Sequence, residues 1–124
     1  MEQPLAALPD AAEHLHPAPL IDERLVEMDF GRWEGLHWDA VPRAELDAWA
    51  ADVAGYAPPG GESPLMLQRR ALTFVAGLAV PEAVVVTHAG VIRTLLAHWW
   101  GLPPAAWPQL VFAYGSRTTV EVPR

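Results

Sequence analysis

The sequence predicts one α/β domain in which helices flank a sheet, and three observations support this fold class. The 124 residues are 52% hydrophobic, which is enough to build the core of a single domain. The β-branched run Ala83–Val86 precedes a helical pattern at Gly90–Trp100, and strand, tight turn and helix in this order form half of a βαβ unit. Two further strand patterns, Leu110–Tyr114 and Thr118–Val122, flank a glycine-serine turn and predict a hairpin.

Three helices are predicted in the first two thirds of the chain. Apolar residues recur at helical spacing over Leu5–Leu15, and two prolines follow them. A short amphipathic helix is predicted for Trp38–Ala51, and another helix from Pro64 to about Leu78, with Ser63 as its N-cap. Between the first two helices, the segment Leu20–Leu36 mixes glycine, charge and aromatic side chains without a period. It is predicted to be a long, ordered loop.

The composition excludes several classes of function. The chain has no cysteine, so it forms no disulfide, thiolate nucleophile or thiolate zinc site. Fifteen acidic residues oppose eight arginines, lysine is absent and the formal charge is −7, so the positive field that nucleic acid or an anionic membrane requires is missing. Without lysine, any bound anion must be held by arginine, histidine or backbone N–H groups. The start of the chain lacks a signal-peptide pattern, so a cytoplasmic location is expected.

The most informative segment for function begins where the predicted strand at Ala83–Val86 ends. His88 lies at the carboxyl end of this strand and immediately precedes a helix, and ligands of open α/β sheets collect at this edge. The free N–H groups of Ala89, Gly90 and Val91 would face an anion, helped by the helix dipole. His88 would add a hydrogen bond or a proton-linked positive charge. The alternative, weighted equally, is that His88 only caps the helix or binds a neighbouring loop.

A second segment, from Leu25 to Gly35, offers three carboxyl groups in a loop rich in glycine and aromatic residues. These are Glu27, Asp29 and Glu34. A carboxyl group acts as a general acid where an apolar wall or a bound anion favours its protonated form. Taken alone, the favoured interpretation is structural, because loop carboxylates usually contact water or pair with an arginine such as Arg32.

A third segment, from Pro58 to Ser63, lies at the start of a predicted helix. Capping explains both Glu62 and Ser63, and two adjacent glycines are weak support for an anion cradle. The pair His14 and His16 has no third ligand nearby, so neither a metal nor a cofactor is expected. His98 is predicted to be packed beside its tryptophan neighbours, and the six tryptophans are assigned to the core and to lids over it.

Together the three segments resemble the histidine phosphatase superfamily, the branch 1 or phosphoglycerate mutase-like family. The motifs are Leu25-x-Glu27-x-x-Phe30-Gly31-x-Trp33-Glu34-Gly35, then Pro59-Gly60-Gly61-Glu62-Ser63 with Arg70 after it, then Val86-Thr87-His88-Ala89-Gly90-Val91-Ile92-Arg93. Three motifs in the family's order and approximate spacing are specific. The stretch from Leu46 to Ser63 looks most like the α-ribazole phosphatases of cobalamin biosynthesis.

The resemblance implies a three-layer α/β fold and phosphomonoester hydrolysis through a phosphohistidine, without metal or cofactor. Glu27 takes the place of the general acid that protonates the leaving oxygen, and His88 that of the second histidine, which stabilises the transferring phosphoryl group. His88, Ala89 and Gly90 are the expected phosphate-binding residues. The expected ligand is a small phosphorylated metabolite or inorganic phosphate. Such a transition state depends mainly on positioning and on positive or N–H donors.

The sequence departs from the family pattern because no Arg-His-Gly triplet occurs in it. In the family this triplet supplies the nucleophilic histidine and a phosphate-binding arginine at the end of the first strand. The chain alone is therefore expected to be inactive or a very weak phosphatase. The alternatives are a non-catalytic remnant that binds anions and a phosphoglycerate mutase-like phosphotransferase.

A missing first strand would also affect the fold. In the family that strand is central and pairs beside the one that ends at His88, so its absence would expose Ala83–Val86 along one edge. The expectation is one partial domain over residues 1–124, from a gene model shortened at its N-terminus. The other possibilities are a partner chain that fills the gap, which makes a homodimer an expectation, and a fold of marginal stability.

Overall fold

The protein is described by a computed structural model over residues 18–123. Within this range the chain forms α1 (Arg43–Ala51), α2 (Pro64–Ala76) and α3 (Ala89–Trp99). Short 3₁₀ turns lie at Glu23–Leu25, Gly31–Trp33, Trp38–Ala40 and Pro104–Gln109. The predicted helix at Leu5–Leu15, with His14 and His16, lies outside the described residues.

The core of the described region lies between α2 and α3. Leu67 and Ala71 of α2 pack against Val91 and Leu95 of α3, and each of these side chains is buried. Partly buried apolar side chains surround them: Leu25, Met28, Leu72, Val75 and Trp99. Leu25 and Met28 precede and follow Glu27 in the chain, so the core itself holds the loop that carries this carboxylate. Full burial of a leucine or valine side chain, such as those of Leu67 and Val91, contributes about 1.5–3 kcal/mol.

The predicted start of α2 is confirmed. The Ser63 hydroxyl accepts a hydrogen bond of 3.1 Å from the Met66 N–H, and Pro64 occupies the first helical position. The helix ends at Ala76, where Gly77 donates its N–H to carbonyls of the last turn. Leu65, which the helical spacing assigns to the buried side, is instead exposed.

The helix predicted for Trp38–Ala51 is divided into a 3₁₀ turn and α1. Val41 between them is extended, with ψ 130°, because the residue before a proline is sterically kept out of the helical region. From the sequence, the tryptophans are assigned to the core and to lids over it. Trp33 and Trp107 are buried in the core, and Trp38 is 62% exposed. The Trp38 ring packs edge-on against Trp33, with 6.1 Å between ring centroids.

The predicted sheet is not formed among the described residues. The run Ala83–Val86 adopts no regular secondary structure, makes no backbone–backbone hydrogen bond in this part of the chain, and leaves Val85 exposed. The prediction of a buried strand here is therefore wrong for residues 18–123. The physical reason is that a strand exists only with a neighbour to pair with, and within this range no segment forms backbone hydrogen bonds with the run. Coverage of the run by a second copy stays a prediction.

The predicted hairpin near the C-terminus is also only partly present. Ser116 donates its N–H to the Ala113 carbonyl at 3.1 Å, and Gly115 has the positive φ of 76° that a type II turn requires at its third residue. The flanking segments Leu110–Tyr114 and Thr118–Val122 form no ladder in the described range. The sequence thus located the turn correctly, but its strands do not pair here.

Every helix within residues 18–123 falls short of the length and apolar character needed to cross a membrane. The assignment of residues 1–124 to a single domain stays a prediction.

Gly31 and Gly61 allow the loop after Glu27 to lie against the loop before α2. Gly31 has φ 56°, and a Cβ added there would collide with the Pro59 carbonyl and the Gly61 N–H. The loops are joined by backbone hydrogen bonds from Arg32 to Pro59 (2.9 Å) and from Glu62 to Asp29 (2.8 Å). Side chains at these glycines would separate the two loops.

The close approach predicts a large difference between two glycine substitutions. Gly31 and Gly60 both have positive φ, but a Cβ at Gly60 meets nothing within 4 Å. The left-handed backbone destabilises both alanine variants, whereas only Gly31→Ala adds a steric clash. We expect Gly31→Ala to lower the free energy of unfolding, measured by urea denaturation, by about 1–3 kcal/mol more than Gly60→Ala. Equal losses would show that the loops are not in contact.

Candidate functional site

The Glu27 carboxylate lies at the amino end of α3. Its Oε2 accepts a hydrogen bond of 3.2 Å from the Gly90 N–H, and its Oε1 accepts one of 2.9 Å from the Met28 N–H. A Cβ at Gly90 would collide with this carboxylate, so glycine is what allows the approach. The first N–H groups of a helix lack partners within the helix and favour a negative charge. The Glu27 carboxylate therefore accepts a hydrogen bond from one of the N–H groups that are predicted from the sequence to bind an anion.

His88 is the residue that immediately precedes α3. Its backbone is extended, with φ −107° and ψ 157°, and its side chain makes no capping hydrogen bond. Only its carbonyl supports the helix, by accepting the Ile92 N–H at 3.1 Å. The imidazole is partly buried. His88 and the carboxylate of Glu27 are thus brought to the same end of α3, and the helix does not use the His88 side chain as a cap.

A hollow of about 130 Å³ opens beside the Glu27 carboxylate. A water molecule takes up roughly 30 Å³ in the liquid, so the hollow has room for more than one. Its lining comes from Glu27, from the start of α3 and from the turn near the C-terminus: Glu27, Thr87, Ala89, Ile92, Phe112, Ala113, Tyr114 and Ser116. The His88 ring is not part of this lining, although both neighbours of His88 in the chain are.

Sequence reasoning did not assign Phe112, Tyr114 or Ser116 to the site. The glycine-serine pair indicated a turn there, but no local pattern shows which helix end a turn will face. The lining is more apolar than polar, and Tyr114 is 87% exposed at its edge. A ligand whose phosphate lay beside Glu27 would have this aromatic side chain within the same hollow.

Hydrogen bonds to the backbone hold the segment that carries Glu27. The buried Thr87 hydroxyl donates to the Leu25 carbonyl at 2.7 Å, which ties the segment to the residue just before His88. The Arg70 guanidinium, on α2, donates to the Glu27 carbonyl at 3.1 Å. The position of Glu27 therefore depends on contacts that are distant in sequence.

The other carboxylates of the loop have local structural roles. Asp29 Oδ1 accepts the Gly31 N–H at 2.8 Å, and Glu34 Oε1 accepts the Phe30 N–H at 2.9 Å. No ion pair among the described residues joins either of them to Arg32, so the expected arginine pairing is absent there. The favoured structural interpretation fits these two residues, with backbone N–H groups as their partners.

The capping interpretation of the third segment holds for Ser63 but is wrong for Glu62. Glu62 forms a salt bridge of 2.7 Å with Arg70 instead of binding the start of the helix. An arginine eight residues along the chain offers a stronger, charge-assisted partner than a neighbouring N–H group.

The remaining histidines of the described region are surface residues. His37 and His98 are both exposed, so the prediction that His98 is packed among tryptophans is wrong. It projects from the last turn of α3, where the tryptophan next to it takes the inward position. Residues 18–123 contain no group of three or more side chains suited to hold a metal ion.

Arg24 and Asp22 form an exposed ion pair shortly before Glu27 in the chain. The hydrogen bond that Arg24 donates to Asp22 lowers the pKa of Asp22 to about 2, and the same bond raises the pKa of Arg24. Because the folded-state pKa is lowered, the stabilisation is present above about pH 4 and is lost as the pH falls towards 2. Asp22 also caps the 3₁₀ turn through the Arg24 N–H at 2.9 Å.

Comparison with known proteins identifies the family. The sequence model of the histidine phosphatase superfamily (branch 1) matches residues 7–124. The chain belongs to this superfamily.

Relatives within the superfamily include phosphatases with different substrates in their names. The chain is 38% identical over 105 residues to a glucosyl-3-phosphoglycerate phosphatase of Mycolicibacterium vanbaalenii, which covers 73% of this chain and 46% of that protein. It is 32% identical over 97 residues to the adenosylcobalamin/alpha-ribazole phosphatase of Escherichia coli, with 73% and 47% coverage. The chain spans about half the length of these relatives.

Solved structures of the superfamily resemble the fold described here. A mycobacterial glucosyl-3-phosphoglycerate phosphatase in complex with inorganic phosphate matches with a TM-score of 0.54 and 34% identity, over 73% of this chain and 50% of that one. The neighbours are phosphoglycerate mutase-like histidine phosphatases, which confirms the fold family expected from the motifs.

The hydrogen bond from Thr87 to Leu25 predicts how two substitutions at Thr87 change the free energy of unfolding. Thr87→Val keeps the shape but leaves the Leu25 carbonyl without its donor, which costs about 1–3 kcal/mol for a buried group. Thr87→Ser keeps the hydroxyl and loses only a methyl group. Urea denaturation is expected to show the larger loss for Thr87→Val, and a Thr87→Val protein as stable as the unmodified one would contradict the tie.

Proposed function

We propose that this chain carries the acid and phosphate-binding part of a phosphomonoester hydrolase site. The observation that supports the proposal best is the hydrogen bond from the Gly90 N–H to the Glu27 carboxylate at 3.2 Å. It joins a carboxyl group of one family motif to the helix start of another. The hollow beside this carboxylate offers space for a small ligand.

The proposed roles follow from the chemistry of phosphoryl transfer. Glu27 is the general acid that gives its proton to the leaving oxygen of the ester. His88 donates a hydrogen bond to the transferring phosphoryl group, and the N–H groups of Ala89 and Gly90 bind its oxygens. Positioning and donors aimed at the developing charge supply most of the catalysis in reactions of this type.

The proposed reaction needs a nucleophilic histidine, and the printed sequence contains no Arg-His-Gly triplet. Removing the nucleophile of subtilisin costs about 10⁶-fold in turnover, which sets the scale of the loss. We therefore propose that the 124-residue chain binds phosphate but turns over phosphomonoesters very weakly. An added segment that carries Arg-His-Gly would supply the missing step.

The proposed substrate class is a small phosphorylated metabolite. Relatives named for glucosyl-3-phosphoglycerate and for α-ribazole support this class, and both of these names imply release of phosphate from a larger polar molecule. The stretch from Leu46 to Ser63 favours α-ribazole as the finer proposal. The higher identity of the glucosyl-3-phosphoglycerate phosphatase makes that substrate the first competitor to test.

A second candidate function is anion binding without catalysis. The absence of Arg-His-Gly from the 124 residues favours it, because the acid and the helix N–H groups are kept while the nucleophile is missing. The two candidates differ in turnover and not in binding, so a binding measurement and an activity measurement separate them.

Phosphate binding to the unmodified chain is the first test. Because the Glu27 carboxylate already occupies the Gly90 N–H, an incoming anion must displace it or share the site with it. Glu27→Gln removes this competing charge and is expected to strengthen the binding of orthophosphate, measured by isothermal titration calorimetry. His88→Ala removes a donor to a charged ligand and is expected to weaken binding by about 10- to 100-fold.

His37→Ala serves as the matched histidine control, since His37 is exposed on the loop before α1. Its phosphate affinity should equal that of the unmodified chain. Undetectable binding at millimolar phosphate in the chain and in Glu27→Gln would refute the proposed site.

Activity is the second test. The chain is fused at its N-terminus to a strand that ends in Arg-His-Gly, and release of phosphate from p-nitrophenyl phosphate, α-ribazole phosphate and glucosyl-3-phosphoglycerate is measured. Glu27→Gln is expected to reduce turnover by about 10²- to 10⁴-fold and His88→Ala by about 10²- to 10³-fold. The same fusion with alanine in place of the added histidine gives the background rate of phosphate release. A fusion with no activity above this background would leave anion binding as the function.

A further inference from the structure

The guanidinium of Arg70 binds one carboxylate and two carbonyl oxygens at once. Its Nε and Nη2 donate to the two carboxylate oxygens of Glu62 at 3.2 and 2.7 Å. Its Nη1 donates to the Arg24 carbonyl at 2.8 Å, and Nη2 also donates to the Glu27 carbonyl at 3.1 Å. The Arg70 and Glu62 side chains are only 22% and 14% exposed. The bonds to Glu62 and to the Glu27 carbonyl are therefore partly buried, whereas the bond to the Arg24 carbonyl is exposed.

Glu62 extends the same network to the other side of Glu27. Its Oε1 accepts the Asp29 N–H at 3.0 Å, and its own N–H donates to the Asp29 carbonyl at 2.8 Å. Arg70 and Glu62 together thus bind backbone atoms of Arg24, Glu27 and Asp29. One ion pair therefore binds the backbone on both sides of the proposed acid.

The direction of the Glu27 side chain depends on this backbone. Its carboxylate has two hydrogen bonds, one to the N–H of the next residue and one to Gly90 on α3. The first moves with the loop, so within residues 18–123 only the bond to Gly90 connects the carboxylate to another element. A shift of the loop relative to α3 would lengthen that bond before it disturbed the helices.

We infer that Arg70, held by Glu62, is a positioning residue that sets the Glu27 carboxylate at the amino end of α3. The inference rests on the proposed function only in treating Glu27 as the acid. Arginine suits the task because its planar group directs several donors at fixed angles, whereas the single ammonium of lysine cannot bind two carbonyls and a carboxylate in this geometry. Neither Arg70 nor Glu62 has to touch the ligand.

The backbone amide of Gly90 reports the position of the carboxylate directly. In the ¹⁵N–¹H spectrum of the unmodified 124-residue chain, its resonance reflects a hydrogen bond to a charged acceptor. Glu27→Gln replaces that acceptor with a neutral one and displaces the resonance. Arg70→Gln is expected to reproduce most of this displacement although residue 27 is unchanged, and Arg70→Lys to produce a smaller one. The double variant should move the resonance no further than Glu27→Gln alone.

Arg43→Gln is the matched control. Arg43 forms an exposed ion pair with Asp47 on α1, with the two side chains 87% and 67% exposed, and should leave the Gly90 resonance in place. A merely structural Arg70 would lower the free energy of unfolding and leave the Gly90 resonance where it was. A folded Arg70→Gln protein with an unmoved Gly90 resonance would overturn the inference, as would displacements that add fully in the double variant.

Glu62→Gln provides the same test if Arg70→Gln does not fold. The amide keeps the size of the carboxylate and one of its acceptor oxygens but loses the charge that holds Arg70. The Gly90 resonance is expected to move in the direction seen for Glu27→Gln, and an unmoved resonance would again refute the inference. No phosphate is needed for these measurements, so a failure of phosphate binding would refute the proposed function and leave this result standing.

Discussion

The ion pair between Glu62 and Arg70 is the interaction on which the arrangement of the site depends. Burying two charges is costly, and their mutual attraction offsets the cost only when further hydrogen bonds satisfy the remaining donors and acceptors. Here those further partners are backbone atoms on both sides of Glu27. The hydrogen bonds that satisfy the ion pair are therefore the same bonds that hold the loop in place. The same demand explains the close loop contact at Gly31, because a side chain there would move Glu62 away from Asp29.

Local signals in the sequence were sufficient where the determining contacts are local. The start of α2 at Pro64 with Ser63 as its cap, and the turn around Gly115, depend on residues only a few positions apart. The strand predicted at Ala83–Val86 failed because its formation depends on a neighbour, and hydrophobic pattern alone does not provide one. The helix predicted from Trp38 failed in part because a proline inside the pattern outweighed the apolar spacing.

The sequence predicts which residues form the candidate site better than it predicts how they are arranged. The resemblance singled out Glu27 and His88, and the structure brings both to the same end of α3. Two features were not predictable from local pattern. The Glu27 carboxylate accepts a hydrogen bond from an N–H group that was expected to bind an anion. Glu62 forms an ion pair with Arg70 instead of capping the helix. The first depends on a contact across 63 positions of sequence. The second joins residues only eight positions apart, but Glu62 also binds Asp29 across 33 positions, which no short motif encodes.

The position of the Glu27 carboxyl group over the first turn of α3 is tested most directly by a ¹⁵N-edited NOE spectrum of the assigned chain. The contact between Glu27 and Gly90 predicts a cross-peak between the Gly90 amide proton and the side-chain methylene protons of Glu27. A spectrum in which both residues are assigned and this cross-peak is absent, while the Glu27 methylene protons contact another part of the protein, would contradict this position of the carboxyl group.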